Sequence, residues 1–323
     1  MSDPLATSTG ARAVVISGAS SGIGRSCALH LDRLGFHVFA GVRRAADGTA
    51  LTQVASPRLT PIVVDITDPD AVAAARQVVS ERDVVLTGLV NNAGSTVPCP
   101  LEYLSLDTLR QQLEVNLIGH VAMTQAFLPL LRRSRGRIVN ISSLAGRLPV
   151  PVMGSYTAAK HAVEGLSGSL RLELASSGVR VSIVEPGDIQ TSMSGKLHRD
   201  VTAAMSALPD EGVRRYSALM RGVEVAIGAG AEGGAPPDVV AEAVAHALTS
   251  HRPRIRYQVG PRSGRMMLLA RVLPDRVLDG VLQRTFALRP RTISSVACNP
   301  SSGLPPPPVS TAGHGHEMAN TRT

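Results

Sequence analysis

The chain has 323 residues, 44% hydrophobic and 18% charged, enough for one large α/β domain with a sizeable core and incompatible with global disorder. No apolar run reaches the roughly 18–20 residues of a membrane-spanning helix, MSDPLATSTGAR does not read as a secretory signal, and Cys27, Cys99 and Cys298 fall in no metal or disulfide spacing; a cytoplasmic protein without metal is expected. The net charge of +8 is local, because ten Arg between 251 and 292 face only Asp275 and Asp279, and with four Phe, four Tyr and no Trp a base-stacking nucleic-acid surface is not expected.

Residues 1–10 read as a flexible N-terminus. RAVVIS (12–17) is an apolar run that ends in a Gly/Ser turn and then a helical pattern. Further runs follow at FHVFAGV from Phe36, PIVVD (61–65), VVLTGLV (84–90), RIVNIS (137–142) and VRVSIVEP (179–186). Helical stretches separate them at 69–81, about 105–133 and 155–176. Continuously apolar strands alternating with helices predict a doubly wound, parallel, Rossmann-type α/β sheet over 11–260, with ligands bound beyond the C-terminal strand ends. Residues 190–235 show no clear strand period and read as a substrate loop; a helix at 236–248 and a strand near RIRYQVG follow. Residues 261–292 read as a basic amphipathic helical extension and 293–323, Pro-rich and ending in GHGHEMANTRT, as a disordered tail.

Three groups of residues carry chemistry. Between the first strand and its helix, Gly18, Ser20, Ser21, Gly22, Ile23 and Gly24 stand as SGASSGIG. Such glycines let the backbone approach a pyrophosphate while the helix N-terminus offers free N–H groups, although a plain tight turn has the same composition. Tyr156 and Lys160 lie one turn apart on one predicted helix face, where an ammonium would stabilise the phenolate and lower the Tyr pKa. Only Lys160 and Lys196 are lysines among 33 basic residues, which makes a Lys at this place pointed; a surface i,i+4 pair is the bland alternative. Ser143 closes the strand GRIVNIS, Asn91-Asn92-Ala93-Gly94 closes the fourth strand, and Asn116 sits mid-helix, where Asn is a poor interior residue.

Taken together these residues resemble the short-chain dehydrogenase/reductase family over roughly residues 10–260. TGxxxGIG stands here as SGASSGIG with Ser17 for the usual Thr, NNAG is intact, and Asn116, Ser143 and YxxxK follow in order. GVRR and LPVPVMGSYTAAKHAVEG look like the branch with hydroxysteroid and retinol dehydrogenases. The resemblance implies that Tyr156 exchanges the proton, Ser143 holds the substrate oxygen, Lys160 lowers the Tyr156 pKa and contacts the nicotinamide ribose, and Asn116 holds a water leading to solvent. It further implies Asp65 with Ile66 beside the adenine, Asn91 and Ala93 along the ribose, and Pro186, Ile189 and Thr191 beside the nicotinamide.

An acidic residue after the second strand would hold an NAD ribose; Gly41 with Arg43 and Arg44 stands there instead, so NADP is expected over NAD. Val97, Met153 and Met193, with Ser143 and Tyr156, are expected to face the substrate, a small-molecule bulky apolar alcohol or ketone such as a steroid, retinoid or lipid-like carbonyl. A carrier-bound 3-oxoacyl reductase and a non-catalytic nucleotide-binding regulator are the alternatives. The extension is expected to dock on the protein rather than on an anionic membrane surface, which is the alternative, and to leave a homodimer.

Overall fold

β-branched and small apolar residues carry no polar group to the flanking layers, so strands made of them can be covered on both faces. The computed structural model describes residues 10–261 and 263–286, apart from the side chains of 192–195, 197, 198 and 231. Seven strands form one parallel sheet: β1 (Ala11–Ile16), β2 (His37–Val42), β3 (Leu59–Val63), β4 (Val84–Asn91), β5 (Arg137–Ile141), β6 (Arg180–Pro186) and β7 (Arg256–Val259). Their order is β3-β2-β1-β4-β5-β6-β7, so the chain reverses direction across the sheet between β1 and β4. That reversal opens a crevice at the C-terminal strand ends.

The alternation of β1 fixes the two cores. Val14 and Ile16 pack with Cys27 and Leu31 of α1 (Gly22–Arg33) and with Val244 and Leu248 of α9 (Asp238–Thr249). Ala13 and Val15 turn to the other face, against Met123, Phe127 and Leu131 of α5 (Gly119–Ser134). The helix α3 (Pro69–Ser80) starts where Asp68 caps the N–H groups of Asp70 and Ala71 and Pro69 takes the first turn; Ser105 caps α4 (Leu106–Leu113) in the same way.

Four departures from the sequence pattern have local reasons. A helix, α2 (Ala45–Thr52), follows β2 although AADGTALT has no apolar stripe; it buries only Gly48 and Leu51. The stretch 105–133 is not one helix, because a π-helical turn at Glu114–Ile118 separates α4 from α5. The 190–235 excursion folds as α7 (Ser192–Ser206) and α8 (Asp210–Glu232). The extension is two helices, α10 (Ser263–Val272) and α11 (Asp275–Thr285), with Pro274 between them. Met267, Leu278, Leu282 and Phe286 bury themselves against Val201, Met220 and Val223 of α7 and α8 and against Leu148 and Val152. The expected tail, with Cys298 and the GHGH histidines, and residues 1–9 lie outside the described residues.

Helix α6 (Gly154–Glu173) carries Gly165 on an exposed turn with nothing within 4 Å of where a Cβ would stand. Gly165→Ala should therefore raise the unfolding free energy by about 0.5–1 kcal/mol, read by denaturant titration; a loss of stability would mean that this turn is not solvent-facing.

Candidate active site

The crevice at the strand ends is a cleft of about 1520 Å³, and it gathers most of the expected residues. Gly18, Ser20, Ser21, Gly22, Ile23 and Gly24 line one end, with Arg43, Asp65, Ile66 and Ala93. Ser143, Tyr156, Lys160, Pro186, Ile189 and Thr191 line the other.

The glycine turn needs its glycines. Gly18 and Gly22 have φ of 67° and 53°, in the left-handed region. A Cβ on Gly24 would stand 2.2 Å from the Gly18 carbonyl oxygen and 2.4 Å from Asn92 Nδ2. Asn92 is the clamp: its Nδ2 donates to the carbonyls of Ser17 (3.0 Å) and Gly18 (3.1 Å), and Ser17 Oγ accepts from the N–H groups of Asn92 (3.0 Å) and Ala93 (3.1 Å). The turn after β1 is thus tied to the end of β4. The NNAG motif drew attention to Asn91, whereas Asn92 and Ser17 do this work; two adjacent asparagines at a strand end were the available signal.

Asn91 turns the other way. Its side chain is fully buried, and Nδ2 donates to Thr124 Oγ1 (3.0 Å) and Asn140 Oδ1 (2.9 Å). Asn116 also keeps its side chain off the cleft, donating to the carbonyls of Ser95 (2.9 Å) and Gln112 (2.9 Å) and accepting from the Ser95 N–H (3.0 Å). It sits within the π-helical turn, so its amide fixes that turn to the segment after NNAG.

At the other end, Lys160 Nζ donates to the Ile141 carbonyl at 2.8 Å and lies 5.7 Å from the centre of the Tyr156 ring. Burial brings the Lys160 ammonium down to about 8, opposed by the Glu164 charge. Tyr156 hydrogen-bonds with Ser143. The expected lowering of the phenol is not found in the protein alone: burial pushes Tyr156 up, and the Ser143 hydrogen bond opposes it only in part. With Lys160 Nζ 5.7 Å from the ring centre, Tyr156 gains less from that charge than it loses in hydration, and it stands as a protonated donor. His120, whose Nε2 meets the Ala93 carbonyl at 2.7 Å, is held neutral by burial and by Lys160, down to about 3. The ring tautomer with a proton on Nε2 satisfies that carbonyl.

The expected substrate wall is partly elsewhere. Met153 is buried one layer behind Thr96, whose Oγ1 donates to its Sδ at 3.5 Å, and Val97 is 36% exposed without lining the cleft. Met193 belongs to α7, and its side chain lies outside the described residues. Thr96, Lys196 and Asp200 line the cleft instead. Of the two arginines after β2, Arg44 is committed to Asp47 through bonds of 3.0 and 2.9 Å, while Arg43 is exposed at the cleft edge. Asp65 is held below the usual carboxylate range by the N–H and hydroxyl of Thr67.

A family model described as short chain dehydrogenase matches residues 12–202. The chain belongs to the short-chain dehydrogenase family. Retinol dehydrogenase 5 of Mus musculus is 37% identical over 299 residues, covering 88% of this chain and 91% of its own. Human 17-beta-hydroxysteroid dehydrogenase type 6 is 35% identical over 283 residues, covering 84% and 88%. These relatives bear out the hydroxysteroid and retinol branch. Among solved structures, a short-chain dehydrogenase from Streptomyces avermitilis superposes with a TM-score of 0.67 at 28% identity, covering 86% of this chain and 94% of its own. Solved relatives carry NADP in one case and NAD in another.

A nicotinamide dinucleotide fits this cleft on its own features. The glycine turn and the N-terminus of α1 line it, and the turn keeps its shape because Gly24 has no Cβ to press on the Gly18 carbonyl and Asn92 Nδ2. Gly24→Ala should weaken dinucleotide binding by about tenfold or more, roughly 1.4 kcal/mol, in a fluorescence titration, with circular dichroism unchanged. Unaltered affinity would show that the turn does not cradle the phosphates.

Proposed function

We propose that the protein is an NADP-dependent oxidoreductase that interconverts a bulky apolar alcohol and its ketone or aldehyde, with Tyr156 as the general acid/base. The reading rests above all on Tyr156 hydrogen-bonded to Ser143 beside a Lys160 ammonium anchored on Ile141. When bound, the nicotinamide supplies or accepts the hydride.

The chain's own residues do the rest. Tyr156, protonated at neutral pH, gives its proton to the carbonyl oxygen in reduction and takes it back in oxidation. Ser143 donates to the same oxygen and fixes its distance from the phenol. Lys160 steadies the phenolate that reduction leaves behind, which the buried phenol cannot do alone. Asn116 holds the π-helical turn, which supports a water path from Lys160 to solvent. Gly18 to Gly24, Asp65, Ile66, Asn91 through its backbone, Ala93, Pro186, Ile189 and Thr191 hold the dinucleotide.

Arg43 supports NADP, since Arg44 and not Arg43 is hydrogen-bonded to Asp47 and no carboxylate stands at Gly41. The apolar substrate is supported by relatives named for retinol and a hydroxysteroid. Ser143 and Tyr156, which line the cleft, are the residues proposed to meet it. A cytoplasmic homodimer completes the reading.

Tyr156→Phe should lower turnover of a ketone panel by about two to four orders of magnitude, with the fold and dinucleotide binding retained, because only the proton-bearing oxygen is lost. Activity within tenfold of the parent would remove Tyr156 from the mechanism. The parent should bind NADPH more tightly than NADH, and Arg43→Ala should cost NADPH about 1.5–3 kcal/mol while sparing NADH. Equal affinities in the parent would refute the assignment of Arg43.

A further inference from the structure

Behind Ser143, Lys160 and Pro186 lies a cluster of four charges from four elements. Arg256 of β7 places Nη2 2.8 Å from Glu164 Oε2 on α6 and Nε 3.3 Å from Glu185 Oε1 at the end of β6. Arg147, after the 3-10 turn Leu144–Gly146, reaches Glu185 Oε1 at 3.9 Å. Glu185 is 0% exposed and Glu164 7%. Glu164 lies one turn beyond Lys160, and its Oε1 is buried without a hydrogen-bond partner among the described residues. Gly146 packs against the Lys160–Glu164 turn: a Cβ there would meet Ser142 Oγ at 2.6 Å, the Lys160 carbonyl at 3.1 Å and Glu164 Cγ at 3.2 Å.

We propose that Glu164 is a positioning residue for Lys160: a buried carboxylate, fixed by Arg256, that keeps the Lys160 side chain in its charged form, so that the last strand sets the pH range in which the Tyr156 site works. The proposal rests on the function proposed above. The groups facing Lys160 are few. Tyr156 and Glu164 share its helix, His120 faces it from α5 as a neutral ring, and Glu185, Arg256 and Arg147 form the next ring outward. Glu164 is the acid whose charge acts on Lys160, opposing the burial that brings it to about 8. Arg256 stands between the two carboxylates, so Glu164 shares its counter-charge with Glu185. Without Glu164, an ammonium that loses this attraction sheds its proton at lower pH, and reduction would fail at lower pH with it.

The chain has only two lysines, Lys160 and Lys196, so selective 13C labelling of lysine reports Lys160 directly, with Lys196→Arg assigning the signals. In the full-length protein without cofactor, the Lys160 13Cε signal should titrate near 8 and about one pH unit lower in Glu164→Gln. Glu164→Asp should restore the parent midpoint, which a merely structural role would not require. The alkaline limb of kcat for ketone reduction with NADPH should move by the same amount, with KM for NADPH unchanged. If Glu164→Gln does not fold, Glu164→Met, which keeps the length of the side chain without its charge, should shift the Lys160 midpoint in the same direction. Coincident Lys160 midpoints in parent and variant overturn the proposal, as does a shift to higher pH. Because the titration needs no turnover, a loss of Tyr156 from the mechanism would leave this result standing and be seen separately in Tyr156→Phe.

Discussion

Lys160, 2% exposed, is held inside the protein by the bond from its Nζ to the carbonyl of Ile141 at 2.8 Å, and the active-site geometry follows from that bond. Taking an ammonium out of water costs several kcal/mol unless hydrogen bonds and a counter-charge repay it. The last residue of β5 supplies the first and Glu164 the second. Ser143 lies two residues past Ile141, and Tyr156 lies one helical turn before Lys160. One anchor between β5 and α6 therefore sets how the hydroxyl, the phenol and the ammonium meet. Moving either element by a fraction of its pitch would separate all three.

The other half of the cleft depends on a second tie, across the reversal between β1 and β4. Parallel strands end in loops whose backbone groups have no ladder partner, and here Ser17 and Asn92 satisfy them reciprocally. Beneath this tie runs a buried polar chain, from the His120 carbonyl through Thr124, Asn91 and Asn140 to Ser167, with bonds between 2.8 and 3.0 Å. Such a chain locks β4, β5, α5 and α6 to one another at the floor of the site. Asn91 therefore contributes to the site as a strut, and the glycine turn above it is held by Asn92.

The strands were legible because a parallel sheet writes itself as uninterrupted apolar runs, and the cleft residues because glycine turns, YxxxK and strand-end serines need those residue types in those places. What was not legible depends on contacts distant in sequence. The helix at 45–52 has no stripe of its own and exists because Gly48 lets it approach Pro61, where a Cβ would stand 2.7 Å away. The π-helical turn in 105–133 comes from Asn116 bonding to Ser95, 21 residues earlier. Neither the pairing of Arg44 with Asp47 nor the direction in which burial moves Tyr156 is written in local spacing. Met153 and Val97 were read as substrate-facing from hydrophobicity, which does not tell a wall from the packing behind it.

The basic extension also changes meaning once its faces are known. Its inward side, with Met267, Leu278, Leu282 and Phe286, closes the apolar lobe over α7 and α8. Its outward side keeps Leu268 (62% exposed) and Val272 (67%) beside exposed Arg265 and Arg271. Docking and solvation are thus divided between the inward and outward sides of the two helices, as the long aliphatic stems of arginine permit. Of the described arginines from 252 to 284, Arg256 alone turns inward, and it does so because Glu164 and Glu185 wait there. Two buried carboxylates near a lysine would repel each other and draw protons unless a cation stood between them. The strand that carries Arg256 pairs with β6 from Ile183 to Pro186, next to the residues that line the Tyr156 end of the cleft. The C-terminal part of the chain is therefore bound into the electrostatics of the site, and its charge is not only a solvated surface.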